Sequence, residues 1–187
     1  MRLHEQIVYN PAKQINQFRL SPPGSQPVGI DRSTLVVFTD GACRDNGRPT
    51  ARASWGVYFG PNSRYNSSGR LEPPMRVTNS RAEIEAMWQA LRIIEGIATG
   101  DNDIRFAYIM SDSKYLVDSM NRWMPGWIAS GGRRPNGRPV EHWEELKAMD
   151  YKAHNLTCAD DQLLEVKFWD VPREDNVVAD RLANQAF

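Results

Sequence analysis

Four carboxylates in this 187-residue chain stand where an acid is either costly or pointed: Asp40, Glu83, Asp112 and Asp180. Asp40 follows the β-branched run Thr34 to Thr39, and Asp112 follows the apolar run Ile104 to Ser111. Each is thereby expected at the end of a buried strand, where a side chain emerges from the core. Glu83 lies inside a helical pattern from Arg81 to Ile97. At 100° per residue, Ala82, Ala86, Met87, Ala90, Leu91, Ile94 and Ile97 fall around it on one side, with Glu85, Trp88, Gln89 and Arg92 opposite. An unpaired charge at the centre of an apolar arc is expensive, and a cation is its natural compensation. Asp180 borders the arc Val178, Leu182 and Ala186 of a closing helix and can face the same place. Taken singly, each acid also reads as solvated or helix-capping, as most acids are. Spacing alone does not bring the four together.

The elements that would position them follow a simple order. Thr34 to Thr39, Ala53 to Gly60 and part of Ser63 to Leu71 read as strands of a meander, followed by the helix over Arg81 to Ile97. A strand over Ile104 to Ser111, helices over Ser113 to Arg122 and Val140 to Ala153, a strand over Leu163 to Asp170 and a helix over Asn176 to Phe187 complete the chain. This order predicts an α/β fold with a mixed sheet packed by helices. The first 33 residues hold Pro11, Pro22, Pro23, Gly24, Pro27 and Gly29 with few aliphatics, the composition of an extended or partly disordered tail. A boundary near Ser33 leaves residues 34–187 as one domain.

Composition narrows the function classes. With 41% apolar and 25% charged residues the chain is neither disordered nor fibrous, and no apolar run is long enough for a membrane span or a secretory signal. Cys43 and Cys158 stand apart without a zinc or disulfide pattern. Twenty-three basic and twenty-three acidic residues cancel, so a nucleic-acid partner must be read from local arrangement. Such an arrangement occurs between Arg122 and Arg138: Arg122, Trp123, Trp127, Arg133, Arg134 and Arg138 with no acid among them. This aromatic and basic mixture suits a nucleic-acid backbone. Two tryptophans at i, i+4 also suit the packing of a short helix.

The strings Thr39-Asp40-Gly41-Ala42-Cys43, Thr78-Asn79-Ser80-Arg81-Ala82-Glu83-Ile84, Ser111-Asp112-Ser113 and Asn176-Val177-Val178-Ala179-Asp180-Arg181-Leu182-Ala183 occur in an order that resembles type-1 ribonuclease H. The resemblance covers residues 34 to 187. It implies a five-stranded mixed sheet whose first three strands are antiparallel, and cleavage of the RNA strand of an RNA–DNA hybrid with two Mg²⁺ ions, Mn²⁺ being a substitute. Hard cations of this kind take oxygen ligands, which suits carboxylates. By the same resemblance Asp40 bridges both metals, Glu83 and Asp112 hold the ion on the nucleophile side, and Asp180 holds the ion on the leaving side. The products are a 5′-phosphate and a 3′-hydroxyl.

The resemblance also implies substrate contacts. Asn46 and Asn79 match donors to the RNA minor groove, Arg76 and Thr78 match a grip on a DNA phosphate, and Tyr115, Trp123 and Trp127 match a channel for the DNA strand. Arg133, Arg134 and Arg138 fall in a basic protrusion. The sequence departs from the pattern at His142, where some members have asparagine, at Gly132, where some have tryptophan, and in Asp170 to Asn176, which is shorter than in many members and lacks their histidine. Glu174 is a substitute there for ordering a water, or simply a solvated loop residue. These departures keep a second reading open, a non-catalytic module that binds RNA–DNA hybrid or double-stranded RNA. The chain is expected to be an intracellular monomer, nuclear, cytoplasmic or organellar, with no membrane and no obligate protein partner.

Overall fold

Residues 3–20 differ from the expected extended tail. In the computed structural model, which describes residues 3–22, 24, 26, 29–72, 77–158 and 164–187, helix α1 (Leu3–Gln6) leads into a hairpin of β1 (Ile7–Asn10) and β2 (Ile15–Phe18). Four rungs join the two strands, from Ile7 opposite Phe18 to Asn10 opposite Ile15. The turn is closed by the Asn10 side chain, which accepts from the Ala12 and Lys13 N–H groups, and by Gln14 at φ 58°. Strands of four residues leave too short an alternation to read against the prolines that follow. Leu3, Ile7 and Phe18 pack on Val36, Phe38, Met110, Val171 and Ala179, so the hairpin completes a core layer rather than trailing from it.

β3 (Thr34–Arg44) is the strand everything else is built on. Its first eight residues are buried, as expected of a strand covered on both faces. It pairs antiparallel with β4 (Arg52–Tyr58), and β5 (Ser67–Arg70) extends the meander. On the other side β6 (Phe106–Ser111) runs parallel to β3, and β7 (Glu165–Asp170) parallel to β6. These five strands form the expected mixed sheet, and the hairpin raises the total to seven. β2 meets β3 at one rung only, Asn16 opposite Val36. It is otherwise fastened by Gln17, whose Nε2 donates to the Thr34 carbonyl at 2.7 Å, and by the Asn16 N–H, which donates to the Phe59 carbonyl at 2.6 Å.

Helix α2 (Asn79–Gly100) opens on Thr78, whose Oγ1 accepts from the Arg81 N–H at 3.2 Å. Its predicted apolar arc is buried throughout. Glu85, expected on the opposite side, is buried too, because Arg81 pairs with it at 3.1 Å and Gln89 donates to it at 2.7 Å. The single short helix expected after Ser113 is instead α3 (Lys114–Asp118), a π-helical turn over Ser119–Trp123, and α4 (Met124–Ala129), with Pro125 near the start of the last piece. Helix α5 (Trp143–Cys158) starts later than expected, behind Pro139 and a His142 at φ 57°. Helix α6 (Val177–Gln185) follows a short 3₁₀ turn, Arg173–Asp175. The main core lies between the sheet and helices α2 and α5, and the smaller one lies between its other face, α6 and the hairpin. No described helix is long and apolar enough to cross a membrane.

Candidate active site

Two glycines let two helices reach one strand. A Cβ on Gly41 would collide with the backbone of Ala82 and Glu83, and a Cβ on Gly56 would lie 2.5 Å from the Ala179 carbonyl oxygen and the Ala183 nitrogen. Gly56 stands opposite Asp40 in the β3–β4 register. Helix α2 therefore enters beside Asp40 from one side and α6 from the other. The Ser54 hydroxyl fixes α6 by donating to the Ala183 carbonyl at 2.6 Å.

All four predicted acids arrive together. Asp40, 5% exposed, is hydrogen-bonded to Asp180, and Glu83 accepts from the Gly41 N–H through Oε2 at 3.1 Å. Asp112, just past the end of β6, accepts through Oδ1 from Asn176 Nδ2 at 2.8 Å and has Arg173 Nε at 3.9 Å from Oδ2. Burial, followed by the charges of Asp112 and Asp180, pushes the Asp40 carboxyl up to about 8. Burial, followed by Asp40 and Asp112, raises Glu83 well above the ordinary carboxylate range, against the opposing pull of the Gly41 N–H and Arg173. The exposed Arg173 offsets part of this mutual repulsion.

Sequence reasoning quoted Asn176 in a motif without giving it a task. It is 1% exposed, and the same Nδ2 that holds Asp112 also donates to the Thr39 carbonyl at 3.0 Å. It thus ties the carboxylate after β6 to the backbone just before Asp40. Asn184 holds Asp180 in a similar way, donating to Oδ1 at 3.2 Å. Such partners become visible only when helix and strand ends meet. Glu174 is exposed on the 3₁₀ turn, while His4 of the amino-terminal helix comes within 4.0 Å of Asp175.

The donor set fits hard divalent cations, because it is all carboxylate oxygen and its mutual repulsion is what a cation relieves. Among the described residues no group of three acids, thiols or imidazoles yet converges at metal-binding spacing. Glu83 is hydrogen-bonded to the Gly41 amide and Asp112 to Asn176.

The predicted substrate residues fall into two groups. Asn46 and Asn79 are exposed neighbours, the Asn46 Oδ1 accepting from the Asn79 N–H at 3.3 Å. Thr78 serves as the α2 cap, and Arg76 lies outside the described residues. The second group is a groove of about 590 Å³ lined by Tyr115, Arg122, Trp123, Trp127, Arg133 and Arg134. The rings form a row, Tyr115 to Trp123 at 5.8 Å and Trp123 to Trp127 at 5.5 Å, but Trp127 is buried and only the first two face outward. Arg133 donates to the Gly137 carbonyl at 3.0 Å, and Arg134 has a buried Nε that finds no hydrogen-bond partner among the described residues. Arg138 is exposed and does not line the groove. Gly132, at φ 80°, faces Trp143 so closely that a Cβ would lie 2.6 Å from the indole, which explains why no larger residue stands there. The His142 side chain is buried between Glu141 and Glu145, at 3.7 and 3.9 Å.

A family model described as RNase H matches residues 32–187. The chain belongs to the RNase H family. It is 33% identical over 156 residues to ribonuclease H1 of Rattus norvegicus, covering 81% of this chain and 50% of that protein. The figures for Homo sapiens ribonuclease H1 are 34% over 155 residues, 81% and 49%. The chain thus spans about half the length of these RNase H relatives. A ribonuclease H of Prochlorococcus marinus (strain NATL2A) is 34% identical over 126 residues, covering 65% of this chain and 70% of that protein. Among solved structures, an RNase H1 isolated from compost by a metagenomic approach superposes with a TM-score of 0.58 at 22% identity, covering 82% of this chain and 95% of that one. The same RNase H1 in complex with an RNA/DNA hybrid gives 0.53 at 24% identity, covering 81% and 94%. These superpositions establish the RNase H fold. The matched span begins just before β3, so the amino-terminal hairpin lies outside it.

Proposed function

We propose that this chain is a divalent-metal-dependent endoribonuclease that hydrolyses the RNA strand of RNA–DNA hybrids, leaving 5′-phosphate and 3′-hydroxyl ends. The observation that carries this reading is the electrostatic coupling of buried acids: Asp112 and Asp180 help to raise Asp40 to about 8, and Asp40 and Asp112 help to raise Glu83 well above its ordinary range. A binding module has no use for buried acids that repel one another. Asp40, Glu83, Asp112 and Asp180 would hold two Mg²⁺ ions, with Mn²⁺ as a substitute. When bound, such a pair activates water and stabilises the departing oxygen of an in-line displacement at phosphorus.

The chain's own residues prepare that chemistry. Asn176 keeps Asp112 from rotating, and the Gly41 amide does the same for Glu83. Asn46 and Asn79 lie side by side to meet the RNA strand, whose 2′-hydroxyls separate it from DNA. Tyr115 and Trp123 offer ring faces to the DNA strand, with Arg134 reserved for a phosphate.

Two substitutions test these roles. Asn176→Ala is expected to lower stability by roughly 2 kcal/mol and to weaken Mn²⁺ binding by about 10–100-fold, read by thermal melts and calorimetric titration. Trp123→Ala is expected to weaken hybrid binding by about 1–3 kcal/mol, read in Ca²⁺ by fluorescence anisotropy, with little effect on folding because the ring is 39% exposed.

The decisive assay uses an end-labelled RNA–DNA hybrid beside RNA–RNA and DNA–DNA duplexes, with Mg²⁺, Mn²⁺ or chelator. Metal-dependent cutting of the hybrid's RNA alone is expected. Salt-sensitive hybrid binding by a folded protein that cuts nothing with either metal would establish the binding module instead, and the loop from Asp170 to Asn176 would then be its cause.

A further inference from the structure

β3 does not stop at Asp40. It continues in register with β4, Gly41 opposite Trp55, Ala42 opposite Ser54, Cys43 opposite Ala53 and Arg44 opposite Arg52. Four further residues carry the strand pair roughly 13 Å beyond Asp40. The turn that joins the strands is itself ordered. The Arg48 N–H donates to the Asp45 carbonyl at 2.9 Å and the Ala51 N–H to the Arg48 carbonyl at 3.0 Å, with Asp45 at φ 53° and Gly47 at φ 82°. The result is a short arm that starts at the acid cluster and leads away from it.

The arm is basic although the chain as a whole is neutral. From Gly41 to Leu71 there are five arginines and one acid, and three of those arginines, Arg44, Arg48 and Arg52, stand on the arm. Arg44 and Arg52 are directly opposite across the last rung, and like charges so placed destabilise a strand pair. Both are exposed, and among the described residues neither has an ion pair. The Arg44 guanidinium lies 4.1 Å from the centroid of the Phe187 ring, which orients it without neutralising it. Arg48 comes only within 4.0 Å of Asp45, with side chains 76% and 44% exposed, a pairing worth little in water. Arg70 differs, since its Nε donates to the Ala186 carbonyl at 2.6 Å and so serves the end of α6. Arg44, Arg48 and Arg52 are thus held on an ordered support with their charge unanswered.

We propose, resting on the hybrid reading above, that this arm binds backbone phosphates of the hybrid about four nucleotides from the cut, at roughly 3.4 Å per nucleotide. A polyanion requires several cations on one support, and the guanidinium fork matches phosphate. Continuity selects the occupant. The strand that carries Asp40 is the strand that carries Arg44, and the turn between Arg44 and Arg48 holds Asn46, which already lies beside Asn79. A duplex seated on the acids therefore runs on over the arm, whereas a protein docked there would compete with it for the same space.

The test is hybrid binding by the full chain in Ca²⁺, followed by fluorescence anisotropy over a range of salt, beside Arg44→Gln, Arg52→Gln and the double variant Arg48→Gln/Arg52→Gln. Each single substitution is expected to lower the slope of log affinity against log salt by about one, and the double variant by about two. At about 0.1 M salt the double variant is expected to bind about tenfold more weakly. In cleavage its KM rises by the same factor while kcat is unchanged, the mark of a contact made equally before and during the chemical step. Removing about four base pairs from one end of the hybrid, and from that end only, is expected to cost the unsubstituted chain the same factor and the double variant nothing. Hybrid binding with slopes and KM unaltered by the substitutions overturns the proposal and leaves the hybrid reading standing. So does a shortened hybrid that weakens the unsubstituted chain and the double variant alike, or a fall in kcat with KM unchanged. Arginine-dependent binding of poly-glutamate beside arginine-independent binding of hybrid overturns it in favour of a protein partner. A folded chain that binds no hybrid at all overturns both.

Discussion

Asp40→Asn is expected to reduce cleavage of the hybrid's RNA below detection and, in the absence of metal, to make the folded protein more stable. The two effects have one cause. Asp40 stands between Asp180, to which it is hydrogen-bonded, and the charge of Asp112, in a position 5% exposed. An amide keeps the volume and the hydrogen bond to Asp180 while removing one member of the repelling set. A gain of about 2 kcal/mol at neutral pH or above corresponds to roughly 4–8 °C in Tm for a chain of this size. Single-turnover cleavage and metal-free thermal melts read the two effects separately. A variant that unfolds without metal would show that the carboxylate is a structural contact and count against its role as a ligand.

Stability without metal is expected to fall as pH rises from about 4 to about 8, the reverse of the behaviour of a salt-bridged acid. The Asp40 carboxyl ionises near 3.8 when free and near 8 in the folded chain. Between those values the folded state holds a proton that the unfolded state has released, so each step up in pH favours unfolding. Below the lower value both states are protonated and the contribution vanishes; above the upper value the full penalty is present. Glu83 is raised for the same reasons and adds a contribution of the same sign. At about 1.36 kcal/mol per unit of pKa difference, Asp40 alone accounts for a loss on the order of 6 kcal/mol across this range. Excess Mg²⁺ or Mn²⁺ is expected to restore most of it at about pH 8 and little at about pH 4. Urea denaturation at both ends of the range, with chelator and with metal, measures the difference. A flat profile with chelator would mean that the acids do not share a buried site.

Much of the site was legible in the chain because its acids break local rules. Asp112 follows an apolar strand and Glu83 interrupts an apolar arc that the structure buries residue by residue, while Asp40, expected at a strand end, lies inside β3, which continues paired with β4 to Arg44. The order of β3, β4, β6 and β7 with α2 and α6 also follows from periodicity, since these elements have runs long enough to show their period, whereas the four-residue β5 could be placed only within Ser63 to Leu71. What sequence hid depends on meetings between distant residues. Asn176 joins Thr39 and Asp112 across the gap between two strands, and nothing local to Asn176 announces that. Glu85 is buried by Arg81 and Gln89, although its helical position reads as an outer face. The hairpin of Ile7–Asn10 and Ile15–Phe18 is too short to declare itself and is held largely through the Gln17 side chain and one rung to Val36. In the aromatic groove, Trp127 belongs more to the core than to the surface, so both readings of the two tryptophans hold in part.

The π-helical turn at Ser119–Trp123 has a consequence for chain length. Such a turn is an α-helix carrying one surplus residue, and one residue rotates everything that follows by roughly 100°. The ring row from Tyr115 through Trp123 to Trp127 therefore depends on a count as well as on residue identities. Deleting a single position between Ser119 and Arg122 would restore ordinary winding, keep every aromatic, and yet swing the two indoles away from Tyr115. The groove is in this sense written as an insertion, preserved by the spacing between Tyr115 and Trp123 and erased by a gap of one.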